Sequence, residues 1–128
     1  MRLLDAFAER GVENPVVLTG DVHKHYAADL ARVAGDPGSE PVGVELVCTS
    51  ITSGGDGGDA YETRDSELAD NPDLKLANDQ RGYVVARLDR RELRADFRVL
   101  ERVSQPGSPA GTRATFVTEA GRPGLQQA

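Results

Sequence analysis

Tryptophan is absent from this chain of 128 residues, cysteine and methionine occur once each, and there are only three phenylalanines and three tyrosines. A single Cys48 excludes an intrachain disulfide and leaves the redox compartment open. It stands between Val47 and Thr49 in a strand-like run, where a small buried thiol is the default. No apolar run approaches the roughly 18 residues a membrane helix needs. The opening Met1-Arg2-Leu3-Leu4 lacks the apolar core and cleavage site of a signal peptide. Uninterrupted basic runs are missing too, and the net charge is −6, which argues against a nucleic-acid surface. Arg87, Arg90, Arg91, Arg94, Arg98 and Arg102 do gather in sequence, but Asp89, Glu92, Asp96 and Glu101 lie among them. That is the pattern of a solvated hairpin of mixed charge. Apolar residues make up 38%, diluted by fourteen glycines and seven prolines, so the core is lean. Length still permits an independent fold, since a domain of this size buries about two thirds of its unfolded surface.

Against that background stands Val16-Val17-Leu18-Thr19-Gly20-Asp21-Val22-His23. An apolar, β-branched run entered through Asn14-Pro15 predicts a buried strand, and Gly20 lets the backbone turn at its end. Asp21 and His23 then leave the carboxyl end of a central strand, where open α/β sheets gather ligands and catalytic groups. A carboxylate oxygen and a neutral imidazole nitrogen suit divalent or trivalent metals. An ion held there lowers the pKa of a bound water to about 7 and so makes hydroxide available. The same residues also admit a plainer reading, in which Asp21 caps the turn and His23 is a half-buried ring.

Leu3, Leu4, Phe7 and Ala8 recur at helical spacing ahead of Gly11, predicting a short amphipathic helix that feeds the strand. This is the order of a layered α/β sheet. In residues 25–33, Tyr26, Ala28 and Leu30 alternate, while Ala27, Ala28, Leu30 and Ala31 also tolerate a helix; a strand is preferred. A turn at Asp36-Pro37-Gly38-Ser39 then returns residues 42–48 as an antiparallel partner. Residues 53–72, with Gly54, Gly55, Gly57 and Gly58, read as a long loop. Its first turns are either an anion-binding nest of backbone amides or a flexible connector. The cleanest period of two runs through 82–88 and 93–103, joined by a charged turn at 89–92. Residues 104–113 read as a linker with Pro106, Gly107, Pro109 and Gly111, residues 114–118 as a short strand, and the rest as a tail bearing Gly and Pro.

Several separated segments match one family in order. They are Asn14-Pro-Val-Val-Leu-Thr-Gly-Asp-Val-His23, Val42-Gly-Val-Glu-Leu-Val47 running into Thr49-Ser-Ile-Thr-Ser-Gly-Gly55, Asn71-Pro-Asp-Leu-Lys75, Arg81-Gly-Tyr-Val84, and the closing region 114–127. They are spread along nearly the whole chain, which resembles the carboxyl-terminal part of the PhoD-like alkaline phosphatases, a branch of the calcineurin-like metallophosphoesterases. The resemblance implies an α/β, β-rich fold: the C-terminal part of a layered metallophosphoesterase β-sandwich flanked by helices. Residues 1–103 would belong to that domain, with 104–128 as its linker, short strand and tail. It also implies metal-dependent hydrolysis of phosphate mono- and diesters, with iron and calcium as cofactors. Asp21 would ligate one metal and His23 the other, as counterparts of the Gly-His-x-His element of other metallophosphoesterases. His25, Ser50, Ser53, Asn71 and Asp73 are then candidates for the rim of the site or for support behind the ligands. Relatives commonly place a histidine where this chain has Asp73, which either binds a hard cation through oxygen or caps a helix or turn. His25 lies outside the matched element and reads as a surface or supporting ring.

The family's remaining ligands come from an Asp-x-x-Tyr element, a cysteine and an asparagine-bearing turn. None of these precedes residue 14, and Cys48 is not equated with that cysteine. The expectation is a piece of a larger enzyme: a truncated gene product, a misplaced start, or one part of a split polypeptide completed by an N-terminal chain. Alone it is expected to lack activity. Family members are typically exported, and the leader that directs them is not seen here. The contrasting class is a non-catalytic β-rich remnant or partner-binding module that keeps the two ligands without the rest of the site. Metal stoichiometry separates the two.

Overall fold

The computed structural model describes residues 3–36 and 38–128. The amphipathic pattern at the start forms α1 (Leu3–Glu9), which leads into β1 (Val16–Thr19), a short strand set parallel to β3 (Pro41–Val47) with Val16 opposite Val44 and Thr19 opposite Val47. Residues 25–33, ambiguous by pattern, are the strand β2 (His25–Ala31), antiparallel to β3 on one side and to β4 (Leu74–Asn78) on the other. The first sheet therefore runs β1-β3-β2-β4. Of the expected turn at 36–39, Asp36 and Ser39 are linked by a 2.9 Å backbone bond, while Pro37 lies outside the described residues, as do Met1 and Arg2.

The second sheet is an antiparallel meander, β5 (Gly82–Leu88), β6 (Glu92–Leu100), β7 (Ala110–Glu119) and β8 (Arg122–Gln127). Its first hairpin follows the predicted alternation, with Leu93, Ala95 and Phe97 buried on one face. The arginines of the other face pair locally, Arg87 with Asp96 at 2.5 Å and Arg94 with the same carboxylate at 3.6 Å. The sheets pack face to face through Ala27, Leu46 and Leu76 of the first and Leu93, Ala95, Phe97, Ala114 and Phe116 of the second. Phe97 is fully buried, edge-on to Phe116 at 5.9 Å and to His25 at 5.2 Å. With no tryptophan and so few aromatics, two phenylalanines, three leucines and three alanines make up a thin inter-sheet core.

Four stretches depart from the sequence reading. β1, expected as a buried central strand, is an edge strand with Val16 and Val17 half-buried and Leu18 and Thr19 exposed, because its only ladder partner among the described residues is β3. The 53–72 loop contains α2 (Arg64–Asp70), a helix with no buried residue. It is fixed by side-chain bonds to Glu67 rather than by an apolar face, so it leaves no helical period to detect. The supposed linker ends sooner, because β7 begins at Ala110. The Gly/Pro-bearing tail is the strand β8, whose place at the sheet edge tolerates Pro123. β8 also ties the sheets together, since the Leu125 amide donates to Asp29 Oδ1 at 2.7 Å and Leu125 packs on the core. At the start of β1, Asn14 clasps the β7–β8 turn, donating to the Glu119 carbonyl at 2.8 Å and accepting from the Gly121 amide at 2.7 Å.

Candidate functional site

β1 ends at Thr19, whose carbonyl accepts from the Cys48 amide at 2.9 Å, and the chain then turns through residues 20–24 before β2 begins. Among the described residues, Asn14, Asp21 and His23 are the non-glycine positions with positive φ, and Asp21 (φ 74) and His23 (φ 57) both sit in this turn. A left-handed backbone at a side-chain-bearing residue costs on the order of 1–3 kcal/mol and persists where the surroundings over-determine it. Asp and His are among the residues that tolerate it best. Both are exposed, and neither side chain makes a hydrogen bond or ion pair among the described residues. The turn thus presents one carboxylate and one imidazole to solvent from the carboxyl end of a strand.

Its geometry is held from behind. Thr49, just beyond β3, donates its hydroxyl to the His23 carbonyl at 2.9 Å, and its amide donates to His25 Nδ1 at 3.3 Å. His25 Nε2 meets the Arg98 carbonyl at 3.3 Å, which assigns the ring proton to Nε2. Burial pushes the His25 ring below its ordinary pKa, and the Arg81 charge adds to this against the opposing backbone hydrogen bonds. A neutral ring that is fully buried and bonded at both nitrogens is a brace, so of the two sequence readings the surface one is excluded. Cys48, expected as a buried thiol, is a half-buried free one.

Beside the turn lies the loop of residues 50–58, gripped by Arg81. This arginine is only 1% exposed. Its Nη1 donates to Ser50 Oγ at 3.0 Å and to the Ser53 carbonyl at 2.5 Å, and its Nη2 to Asp79 Oδ1 at 2.7 Å and to the Asp79 carbonyl. Ser50 Oγ in turn donates to the Ser53 carbonyl at 2.5 Å. Ser50 and Ser53 therefore come to the same end of the first sheet as Asp21, His23 and His25. Asn71 and Asp73 do not. Asp73 lies beside Asp29, about four residues or roughly 13 Å along the sheet from the level of His25. Its Oδ2 caps a turn by accepting from the Gly35 amide at 2.7 Å. Asn71 donates to the Glu67 carbonyl at 2.8 Å and so closes α2. An open groove of about 480 Å³ adjoins them on the outer face of the first sheet, lined by Tyr26, Leu30, Val47, Asp73 and Leu74; neither Asp21 nor His23 lines it.

One polar cluster escaped the sequence reading. Glu67 accepts from Lys24 Nζ at 3.0 Å, the Tyr26 hydroxyl at 2.8 Å, the Tyr61 hydroxyl at 2.5 Å and the Thr63 hydroxyl at 2.7 Å. Burial pushes this carboxyl up, but the four donors outweigh it and hold it down at about 2. Lys24 Nζ also sits 4.1 Å from the Tyr61 ring centre. The residue after His23 is thereby tied to α2.

Among the described residues no group of three or more His, Cys, Asp or Glu is assembled to hold an ion. A metal site needs four ligands or more. Asp21 and His23 are two hard-to-borderline donors that would fit such a set, and they are fewer than it requires. Neither Arg81 nor Thr49 is a site candidate by sequence, whereas Gly54 falls in the glycine-bearing turn expected near the rim. The one signal for Arg81 and Thr49 is that each lies in a segment of the family resemblance.

A family model described as "PhoD-like phosphatase" matches residues 1–97. Alkaline phosphatase D of Bacillus subtilis (strain 168) is 39% identical over 126 residues, which is 98% of this chain and 22% of that protein. A solved structure titled "Structure of PhoD" superposes with a TM-score of 0.93 at 38% identity, covering 99% of this chain and 24% of the other. The chain thus spans between a fifth and a quarter of the length of these relatives.

Proposed function

This chain belongs to the PhoD-like phosphatase family, and from that premise we propose that its role is to supply the Asp21–His23 turn to a metal-dependent phosphate-ester-hydrolysing site. The observation that carries the reading is the pair of left-handed, exposed and unengaged donors at the end of β1, in a family of phosphatases. The backbone is held locally by Thr49, and the two side chains it turns outward are left free for a ligand.

In this reading Asp21 offers a carboxylate oxygen to one ion and His23 a ring nitrogen to a neighbouring one. Thr49 fixes the His23 backbone through its carbonyl, and His25 holds Thr49 in place without itself ligating. What bound metal supplies in such a site is Lewis acidity toward a phosphoryl oxygen and a more acidic water. Iron and calcium are the ions the family resemblance implies, and phosphate mono- and diesters the substrates. Because the described residues assemble no complete ligand set, the 128-residue chain alone binds metal weakly and does not turn over. The remaining ligands would come either from a longer form of this polypeptide or from a complementary chain.

The test is direct. The purified chain is incubated with iron and calcium salts and assayed with p-nitrophenyl phosphate and bis-p-nitrophenyl phosphate. No turnover is expected, and robust hydrolysis would refute the incomplete-site reading. Metal binding measured by calorimetry should weaken sharply in both Asp21→Ala and His23→Ala. If both variants bind as the parent chain does, the two residues are not ligands, and the chain is better described as a non-catalytic module.

A further inference from the structure

We propose that Arg81 is a positioning residue for His23, acting through Gly54; this rests on the ligand role given to His23 above. Arg81 is the largest fully buried side chain, and its guanidinium spends four hydrogen bonds on backbone and side-chain acceptors of the 50–58 loop and of Asp79. The same lacing includes Gly82 N to the Ser50 carbonyl at 3.1 Å and Asp79 N to the Gly58 carbonyl at 3.1 Å. The loop is therefore pinned at its start, its middle and its end.

Gly54 is where this pinned loop meets the candidate ligand. With φ at +96°, it is so placed that a Cβ there would lie 2.7 Å from Arg81 Nη1 and 3.7 Å from His23 Nδ1. The guanidinium and the imidazole thus both border the space that a side chain at residue 54 would fill. Gly57, further along, is equally confined, since a Cβ there would meet the Asp79 carbonyl oxygen at 1.7 Å. A His23 ring that bonds no side chain rests on a wall whose position Arg81 sets.

A second observation singles Arg81 out. Its Nε is buried and has no hydrogen-bond partner among the described residues. A buried donor without a partner is unfavourable, so the guanidinium is held in this place by its four Nη bonds to the loop and to Asp79. Ordering a loop beside a ligand accounts for a geometry that leaves one donor idle. Groups that orient metal ligands typically change affinity by about 10–100-fold when altered.

Gly54→Ala, Arg81→Lys and Gly55→Ala separate the possibilities. Gly55 shares the left-handed backbone (φ +74°) but faces open space, so Gly55→Ala carries the backbone strain without the contact. The readouts are nuclear Overhauser contacts between the His23 ring and the residue 54 backbone, and Zn²⁺ titration as a diamagnetic probe, with the β5–β6 cross-strand contacts reporting folding. Gly54→Ala and Arg81→Lys should lose the ring contact and bind Zn²⁺ at least tenfold more weakly, while Gly55→Ala keeps both. Retention of the ring contact in Gly54→Ala overturns the proposal, and this variant decides alone should Arg81→Lys fail to fold. Loss of the contact equally in Gly55→Ala also overturns it, because strain would then suffice. If Zn²⁺ perturbs neither Asp21 nor His23 in the parent chain, the metal reading fails, and the ring contacts still decide whether Arg81 positions His23.

Discussion

Acidification should remove one identifiable portion of this protein's stability, that supplied by Glu67. Its carboxyl is held at about 2 against an ordinary 4.5, burial raising it and the bonds from Tyr61, Thr63, Lys24 and Tyr26 lowering it further. At about 1.36 kcal/mol per tenfold change in proton affinity, that difference corresponds to about 3.4 kcal/mol at most. The side chain is 25% exposed, and screening brings the expected contribution down to about 2 kcal/mol. Because the folded-state value lies below the unfolded one, the contribution is complete above pH 4.5 and drains as pH falls toward 2. The perturbation is Glu67→Gln, which keeps the shape and one acceptor but removes the charge. Denaturant unfolding of both proteins at pH 7, 5, 4 and 3 isolates the effect, since Asp56, Asp59 and Asp96, whose pKa values are also lowered by hydrogen bonds, contribute equally to each. The variant should be about 2 kcal/mol less stable at pH 7, with more than half of that gap closed at pH 3. A gap that is the same at pH 7 and pH 3, or one below about 0.5 kcal/mol throughout, refutes the account of the network.

Phe97→Ala should cost about 3–5 kcal/mol in thermal or chemical unfolding, since the ring is fully buried against Phe116 and His25; a loss under about 1.5 kcal/mol would mean the inter-sheet core is not where it is drawn. Asn14→Ala should lose about 1–3 kcal/mol, because it removes both bonds to the β7–β8 turn and leaves a φ of 47° on alanine. Asn14→Gly should recover the part due to backbone strain, and equal losses in the two variants would contradict that division. Asp56→Ala should accelerate hydrogen exchange at the amides of Val103 and Ser104, both of which donate to Asp56 Oδ1, at 2.6 and 2.8 Å. Unchanged exchange there would show that water serves those amides equally well.

The elements that sequence patterning revealed are those whose side chains alternate or stack for their own reasons. β5 and β6 show a period of two because one face meets the core, and β1 shows a β-branched run because it lies beside β3. β2 was ambiguous because alanine fits either period, and it was settled by Ala27 packing between the sheets with β3 and β4 on either side. α2 and β8 could not be read, since each is specified by distant partners. Glu67 draws its donors from residues 24, 26, 61 and 63, and β8 is a polar edge anchored by Asp29. The same holds at the site. Asp21 and His23 are neighbours in sequence and could be proposed together, whereas Arg81 acts on residues nearly thirty positions earlier and carries no local mark of it.

The order β1-β3-β2-β4 has a consequence for how the polypeptide acquires its shape. β1 and β2 are consecutive along the chain yet never touch as ladder partners; β3, made later, slots between them and satisfies both. Within this sheet the two strands therefore have no seam in common until the arrival of Val44 and Leu46, which closes both in a single event. A lesion in that one segment would unstitch the whole half-sandwich rather than fray its border.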